Sequence, residues 1–273
     1  MKVDLHTHTT YSDGTLEPEE LISAAHGLGI THLAITDHDS TGSLDPARAK
    51  AKAFGMTLIP GIEINTREMA AVHVLGYFID DKNEDFQNVL NRHRGLRHKR
   101  AELILEKLNR MGIKIAISDF DLPSGGAAIG RPHIADKLRE KGVVFSRQEA
   151  FDKFLAQGKA AYVFYEGPSP KDAIEAILTA KGIPVLAHPG YSVSLDTILE
   201  LMKLGLQGIE TYYPSHNPDQ VRNFLEIAKK NDLIPTGGSD YHGPGSGHER
   251  LGEMEVPEIT FENLLKRKEK LFG

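Results

Sequence analysis

Short apolar runs of β-branched character alternate with longer amphipathic stretches along most of the chain. The apolar runs predict strands at positions 3–5, 32–36, 57–59, 72–78, 185–187, 208–210 and 234–236. Between them, apolar positions recur with helical spacing at 17–28, 45–54, 170–180, 195–203 and 218–231. This alternation predicts an α/β fold in which helices surround a mostly parallel sheet.

The middle of the chain breaks this rhythm. From position 85 to position 158 there is no strong strand pattern, only helical patterns at 86–111, 132–141 and 147–155. The simplest organisation is a barrel in two parts, residues 1–81 and 160–273, which flank a helical insertion at residues 82–159. A two-domain dinucleotide-binding fold is disfavoured because no Gly-x-Gly-x-x-Gly motif follows the first strand.

Composition narrows the class of protein. The 273 residues suit one α/β barrel, and 40% apolar with 26% charged residues excludes disordered, collagen-like and membrane-spanning chains. The absence of cysteine excludes disulfides and thiolate ligands, so any metal must be held by nitrogen and oxygen. The chain begins with a charged, His-bearing strand where a signal peptide needs a long apolar run, so we expect a cytoplasmic protein.

Several of the 13 histidines follow predicted strands. His6 and His8 close the first strand, and residues two apart on a strand share a face, so both imidazoles can converge on one metal. Each of the other polar residues that follow predicted strands could, taken alone, be a helix cap, a turn residue or a buried histidine. Because barrel strands end at one rim, the set together predicts a metal centre there. Its members are His6, His8, Asp13, His38, Glu63, His73, His188, Asp240 and His242.

Seven motifs carry a resemblance to a known family. They are HTH at 6–8, SDG at 12–14, TDH at 36–38, GIE at 61–63, HVLGY at 73–77, AHPG at 187–190 and GGSDYHG at 237–243. This set resembles the polymerase and histidinol phosphatase (PHP) family. The resemblance implies a distorted (β/α)7 TIM-like barrel, here with a helical insertion, and a di- or trinuclear metal centre.

The resemblance also implies how the ligands are shared. His6, His8 and Asp240 would hold one metal, and Glu63 would bridge to a second metal bound by His73 and His188. Asp13, His38 and His242 would hold a third. Position 188 is His where some family members have Cys.

The expected cofactor is a set of two or three divalent ions, with manganese expected and zinc or iron as alternatives. Two metals about 3.5 to 4 Å apart suit phosphate ester hydrolysis by a metal-bridging hydroxide. In that reaction the residues expected to take part directly are Asp13, His38, Glu63 and His242. Asp37 and Asp39 are expected to orient ligand imidazoles, with a helix N-cap as the alternative for Asp39.

The predicted insertion carries a local excess of positive charge. Residues 92–114 contain eight Lys or Arg against two Glu, and Arg97 and Arg100 lie three apart on one helix face. In the motif that starts at Gly130, Arg131 offers a bidentate fork and His133 can bind phosphate or cap the helix. We therefore expect Arg97, Arg100, Gly130, Arg131 and His133 to bind substrate. For Arg92, Lys107 and Arg110 a solvated helix face is the alternative.

Within the family, paired Arg followed by GRPHIA resembles the subgroup that acts on nucleoside 3',5'-bisphosphates and on the 5' ends of short RNA. YYPSH from Tyr212 also resembles that subgroup, and Tyr212 or Tyr213 either lines a base or ribose pocket or packs in the core. The expected substrate is thus a small phosphorylated nucleotide or short RNA. Histidinol phosphate phosphatase, or another small phosphomonoesterase, is the rival.

Two readings from other classes also stay open. The chain could be a nucleic-acid-associated structural PHP module, or it could hydrolyse a C–N bond as related amidohydrolases do. The net charge of −6 and the lack of a long basic stripe argue against duplex nucleic acid as a partner. No membrane partner is expected, and the sequence leaves the oligomeric state open.

Overall fold

The computed structural model describes residues 1–67, 72–123, 127–190 and 192–273. Seven strands pair in chain order into one sheet. They are β1 (Val3–Asp4), β2 (His32–Ile35), β3 (Thr57–Asn65), β4 (His73–Tyr77), β5 (Ile183–Leu186), β6 (Gly208–Tyr212) and β7 (Ile234–Gly237). Leu5 N–H donates to Gly237 C=O (3.3 Å) and His8 N–H to Tyr241 C=O (2.9 Å), so the last strand meets the first. The predicted α/β barrel is confirmed as a nearly closed seven-strand barrel.

One strand departs from the parallel order. β4 runs antiparallel to both β3 and β5, whereas the other pairs in the sheet are parallel. Asn65 at the end of β3 faces His73 at the start of β4. The start of β4 therefore lies at the rim where the parallel strands end.

Five helices cover the outside of the sheet: α1 (Pro18–Gly27), α2 (Leu44–Ala53), α6 (Pro170–Thr179), α7 (Leu195–Lys203) and α8 (Pro218–Lys230). Their apolar faces pack in one buried cluster with outward-facing strand residues such as Ile35, Ile62 and Ile209. A ninth helix, α9 (Ile259–Phe272), was not predicted from the pattern. Its Leu264 packs with Val3 and Ile183 inside the barrel, so α9 covers the end opposite the polar rim.

Between β4 and β5 the chain forms α3 (Glu84–Arg110), α4 (Arg131–Glu140) and α5 (Arg147–Ala150), with a wider helical turn at Phe151–Leu155. The first half of α3 packs on the barrel through Phe86 and Leu90. Its second half joins α4 and α5 in a separate apolar cluster that includes Leu108 and Leu138. The helix α3 therefore anchors these elements to the barrel. Among the described residues, no helix has the length and apolar character to cross a membrane.

Candidate metal centre

The first two histidines lie where β1 meets β7. Both side chains are fully buried. A Cβ on Gly238 would lie only 2.4 Å from the backbone nitrogen of His6, so glycine permits the close approach of the two strands. This approach brings Asp240 Oδ1 to 3.2 Å from the Nε2 atoms of both His6 and His8.

Glu63, at the rim end of β3, lies at the centre of the site. Its Oε2 atom is 3.3 Å from His6 Nε2, 3.3 Å from His8 Nε2 and 3.1 Å from His38 Nδ1. Its other oxygen, Oε1, is 2.8 Å from His73 Nδ1 and 3.1 Å from His188 Nε2. One buried carboxylate thus faces two sets of imidazoles, as a bridging ligand must.

Asp13 forms the third part of the site with two further histidines. Its Oδ1 atom lies 3.3 Å from His242 Nε2 and 3.7 Å from His38 Nε2. The side chains thus form three overlapping groups whose ligand atoms lie within 4.8 Å of one another. The groups are His6, His8, Glu63 and Asp240; Glu63, His73 and His188; and His8, Asp13, His38 and His242. The structure brings all nine sequence-predicted ligands together at one rim.

The electrostatics of the rim are those of carboxylates held among imidazoles. Burial alone would lower the pKa of His6, but the carboxylates of Asp240, Glu210 and Glu63 outweigh it and raise that pKa well above its usual value. His8 is likewise buried, yet Asp240 and Glu63 raise its pKa to about 10. Burial dominates at His38 and lowers its pKa to about 3. Burial opposes ionisation of Glu63 too, but the surrounding histidines hold its pKa well below the usual range.

The donor set fits divalent metal ions. Four buried atoms that face the groups, His8 Nε2, Asp13 Oδ1, His38 Nδ1 and Asp240 Oδ1, make no hydrogen bond to any residue that the structure describes. Buried polar atoms without partners are costly unless a ligand satisfies them. His188 and Asp240 also adopt positive φ angles of 23° and 52°, a strained backbone that is common at functional sites. Imidazole and carboxylate ligands suit Mn²⁺, Zn²⁺ and Fe²⁺.

Three side chains that support these ligands were not predicted. Glu210 on β6 is fully buried, with Oε1 3.0 Å from His6 Nδ1 and Oε2 accepting from His188 N–H (2.8 Å). Asn65 Nδ2 lies 2.9 Å from His73 Nε2. Glu210 carried a usable signal, because it ends a second Gly-Ile-Glu triplet like the one that ends in Glu63.

The third is Tyr213, whose hydroxyl donates to Asp240 Oδ2 at 2.9 Å. Tyr213 therefore positions a candidate ligand. Tyr212 packs against the apolar cluster inside the barrel, which is the core-packing alternative given for it from the sequence.

The expectation that Asp37 orients a ligand imidazole is wrong. Its carboxylate instead accepts hydrogen bonds from the hydroxyls of Thr9, Ser12 and Ser43 and from Thr9 N–H. Ser12 Oγ in turn lies 3.4 Å from His8 Nδ1, so Asp37 is linked to this ligand through a hydroxyl.

Asp39 also orients no ligand imidazole, and it does not cap α2, whose N-cap residue is Ser43. Its carboxylate is fully buried and accepts from Arg97 Nε (2.5 Å) on α3. His93, also on α3, lies with Nδ1 3.3 Å from Asp39 Oδ1. Asp39 therefore ties the loop that carries His38 to the long helix.

A cavity of about 210 Å³ joins the rim to the elements between β4 and β5. We call it the arginine cavity. Its lining includes Asp13, His38, His73, Arg97, Arg100, Gly130, Arg131 and Tyr165. The ring of buried Tyr165, another residue not predicted, lies 5.7 Å from the Arg97 guanidinium and 5.2 Å from that of Arg100. Besides Asp39, Arg97 binds Asn65 Oδ1 through Nη2, so it also supports His73.

The predicted phosphate-binding motif divides in the structure. Gly130 and Arg131 line the arginine cavity, and the Arg131 guanidinium lies 5.5 Å from the Phe151 ring. His133 does not line that cavity; its Nδ1 accepts from Gly130 N–H (2.9 Å) at the start of α4. Burial lowers the pKa of His133, which favours the neutral form that accepts this bond. The structure thus shows the capping alternative for His133, and its contact with substrate stays a prediction.

Comparison with known proteins agrees with this geometry. A profile of the PHP domain matches residues 4–122. The chain is 36% identical over 249 residues to a 5'-3' exoribonuclease of Haemophilus influenzae, covering 89% of this chain and 90% of the relative. It is 35% identical over 263 residues to a 3',5'-nucleoside bisphosphate phosphatase of Chromobacterium violaceum, covering 93% and 91%.

Among solved structures, an amidohydrolase from Chromobacterium violaceum with bound sulfate superposes with a TM-score of 0.86 at 33% identity. The match covers 98% of this chain and 97% of that structure. The shared barrel, the ligand motifs at its rim and relatives of more than 30% identity over nearly the whole length lead to one assignment: this chain belongs to the PHP family.

Proposed function

We propose that this chain is a metal-dependent phosphoesterase that removes the 3'-phosphate of nucleoside 3',5'-bisphosphates and releases 5' nucleotides from short RNA. One observation carries the proposal: a single cavity is lined both by candidate metal ligands (Asp13, His38 and His73) and by three arginines. The activities of two relatives, a bisphosphate phosphatase and an exoribonuclease, support it.

The arginines favour a substrate with two phosphate groups. A small monoester such as histidinol phosphate needs one phosphate site, which the metal centre supplies. Arg100 and Arg131 add cationic, fork-shaped donors beside that centre, the geometry that recognises a second phosphate. We propose that residues 82–159 act as a substrate-capping subdomain, because they supply these arginines from an apolar cluster of their own.

Divalent ions at the rim would polarise the phosphoryl oxygens and lower the pKa of a water molecule. The chain's own residues fix the geometry of the reaction. Arg100 and Arg131 would hold the 5'-phosphate while the 3'-phosphate lies at the rim, so that the phosphorus–O3' bond faces the ligand set.

We further propose a trinuclear manganese centre. The three overlapping groups of ligand atoms support the count, and the mixed imidazole and carboxylate donors suit Mn²⁺ as they suit Zn²⁺ and Fe²⁺. Elemental analysis of the protein purified without added metal, followed by reconstitution with Mn²⁺, Zn²⁺ or Fe²⁺, tests the count and the identity.

The decisive experiment compares phosphate release from adenosine 3',5'-bisphosphate, 5'-phosphorylated RNA trimers and histidinol phosphate by the Mn²⁺-loaded enzyme. We expect the bisphosphate to be preferred. A dominant rate on histidinol phosphate would overturn the substrate, and amine release without phosphate would indicate C–N hydrolysis.

A matched pair of variants on α3 tests the second phosphate site. Arg100→Ala should lower kcat/KM for the bisphosphate by about 10- to 100-fold, because hydrogen bonds to charged groups contribute about 1.5–3 kcal/mol. Its rate on p-nitrophenyl phosphate should stay unchanged. Arg110→Ala, an exposed arginine paired with Glu106, is the control and should affect neither substrate.

A further inference from the structure

A second cavity borders the metal centre, and the proposed hydrolysis of bisphosphates leaves it without a role. We call it the loop cavity. Its volume is about 430 Å³, and its lining includes Ser146, Arg147, Gln148, Phe151 and residues 245–248. It shares Asp13, His38, Pro132 and Phe151 with the arginine cavity. Of the two cavities, Asp240 and His242 line only the loop cavity, and His73 lines only the arginine cavity. The two cavities therefore meet at the candidate metal ligands.

The two proposed substrates differ in what is attached to the scissile phosphate. In both, the oxygen of water bonds to phosphorus, the phosphorus–O3' bond breaks and O3' takes a proton. In the bisphosphate the phosphate then leaves free. In RNA the same phosphorus also carries the O5' atom of the next nucleotide, and the phosphate departs as the 5'-phosphate of the shortened strand. An RNA substrate thus needs room on the far side of the scissile phosphate, whereas a bisphosphate does not.

The arginine cavity cannot supply that room. Its volume of about 210 Å³ is smaller than that of sites that enclose a drug-sized ligand, which measure about 300–1,000 Å³. The loop cavity is twice as large and opens from the same ligands. We propose that the loop cavity binds the nucleotide on the 3' side of the scissile phosphate, so that an RNA strand passes from the arginine cavity across the metal centre into the loop cavity. This inference rests on the proposed function.

The lining of the loop cavity suits a nucleotide. Phe151 and Pro132 present apolar surfaces on which a base can stack. The Arg147 guanidinium is held in place by Asp136, with Nε 2.8 Å from Oδ1, and gives the wall a fixed cation. Gly247, at positive φ and with no atom within 4 Å of where a Cβ would stand, leaves the facing loop without a side chain there, so that a backbone can approach closely.

Gln148 offers a test that leaves the metal ligands untouched. It is exposed on the wall of the loop cavity, and its Nε2 donates to Asp152 at 2.9 Å. Gln148→Glu places a negative charge in the path of the strand at constant size, and Gln148→Arg places a positive charge there. Gln157→Glu, an exposed site on the same part of the chain but outside both cavities, is the matched control.

For a 5'-phosphorylated RNA trimer, Gln148→Glu should raise KM about tenfold, and Gln148→Arg should lower KM and steepen its salt dependence by about one charge. Both variants should hydrolyse adenosine 3',5'-bisphosphate within twofold of the unchanged protein, and Gln157→Glu should alter neither substrate. Equal losses on both substrates would overturn the proposal, because the loop cavity would then hold part of the bisphosphate. No effect of either Gln148 variant on the trimer would also overturn it. Failure of the unchanged protein on both substrates would instead refute the proposed function.

Discussion

Replacing Glu210 with Gln tests whether a buried carboxylate keeps His6 in the form that a metal requires. Glu210 accepts from His188 N–H through one oxygen and lies 3.0 Å from His6 Nδ1 with the other. His6 Nε2 faces Glu63 and Asp240, so metal binding needs a lone pair on Nε2 and the proton on Nδ1. A carboxylate accepts at both positions at once.

An amide has only one acceptor oxygen, so Glu210→Gln must lose one contact. If the oxygen stays on His188 N–H, the amide NH2 faces His6 Nδ1 and favours the tautomer with its proton on Nε2. If the amide turns so that its oxygen faces His6, its NH2 group faces the His188 N–H, and two donors meet without an acceptor. Loss of one hydrogen bond to a charged group costs about 1.5–3 kcal/mol, and at about 1.4 kcal/mol per factor of ten this weakens metal affinity about 10- to 100-fold.

Calorimetric titration of the metal-free protein with Mn²⁺ measures this loss. The control is Glu200→Gln, an exposed glutamate on α7, which should bind metal within twofold of the unchanged protein. Thermal denaturation of each metal-free form checks that the fold is retained. Metal affinity of a folded Glu210→Gln protein within twofold of the unchanged protein would refute the argument from the tautomer.

Three further results are expected. Chelation of the metals should lower the melting temperature, because ions at 100 times their Kd stabilise the folded state by about 2.7 kcal/mol; calorimetry with and without EDTA measures it, and an unchanged melting temperature contradicts it. Buried His8, whose pKa its carboxylate neighbours raise to about 10, must lose its proton to bind metal, so affinity should rise with pH up to that value. Titration in buffers of different ionisation enthalpy should show proton release at pH 7, and equal heats would contradict it. Arg97→Met should lower the free energy of unfolding by about 3–5 kcal/mol in urea, because it deprives buried Asp39 of its guanidinium partner. Exposed Arg110→Met should change it by less than about 0.5 kcal/mol; equal effects would contradict this.

The ligand set could be predicted because strand ends are visible in the sequence. Each apolar run stops at a polar residue, and a barrel gathers those ends at one rim whatever the separation along the chain. His6 and His188 illustrate this: they lie 182 positions apart in the sequence, yet their places after β1 and β5 bring them to the same rim. Glu210 also ends an apolar run at the rim. It was missed because it supports His6 and His188 and is not itself one of the predicted metal ligands.

The direction of β4 could not be predicted, because an apolar run has no direction of its own. The predicted third strand ended at position 59, and a crossover to a parallel strand needs about 10–12 residues. In the structure β3 continues to Asn65 and β4 begins at His73, which leaves too few residues for a crossover. The antiparallel pairing follows from that boundary, and it places His73, the first residue of β4, at the rim.

The contacts of Asp37, Asp39 and His133 lay beyond the sequence for a different reason. Each has two chemically sound partners, and the choice depends on which element packs nearby. Asp37 meets three hydroxyls because Thr9 and Ser12 turn back over it from the loop after β1. Asp39 meets α3, a helix that begins 45 positions later in the chain.

The place of Arg97 limits what an arginine substitution can reveal about substrate binding. Arg97 lines the arginine cavity, yet it also binds Asp39, next to His38, and Asn65, which contacts His73. Removing Arg97 would therefore disturb ligands of two metal groups as well as any phosphate in the cavity. Loss of activity in an Arg97 variant would not separate these causes. Arg100 also lines the arginine cavity, and its Nε donates to the Val163 backbone carbonyl (2.9 Å) rather than to a residue that supports a ligand, so the second phosphate site is better tested there.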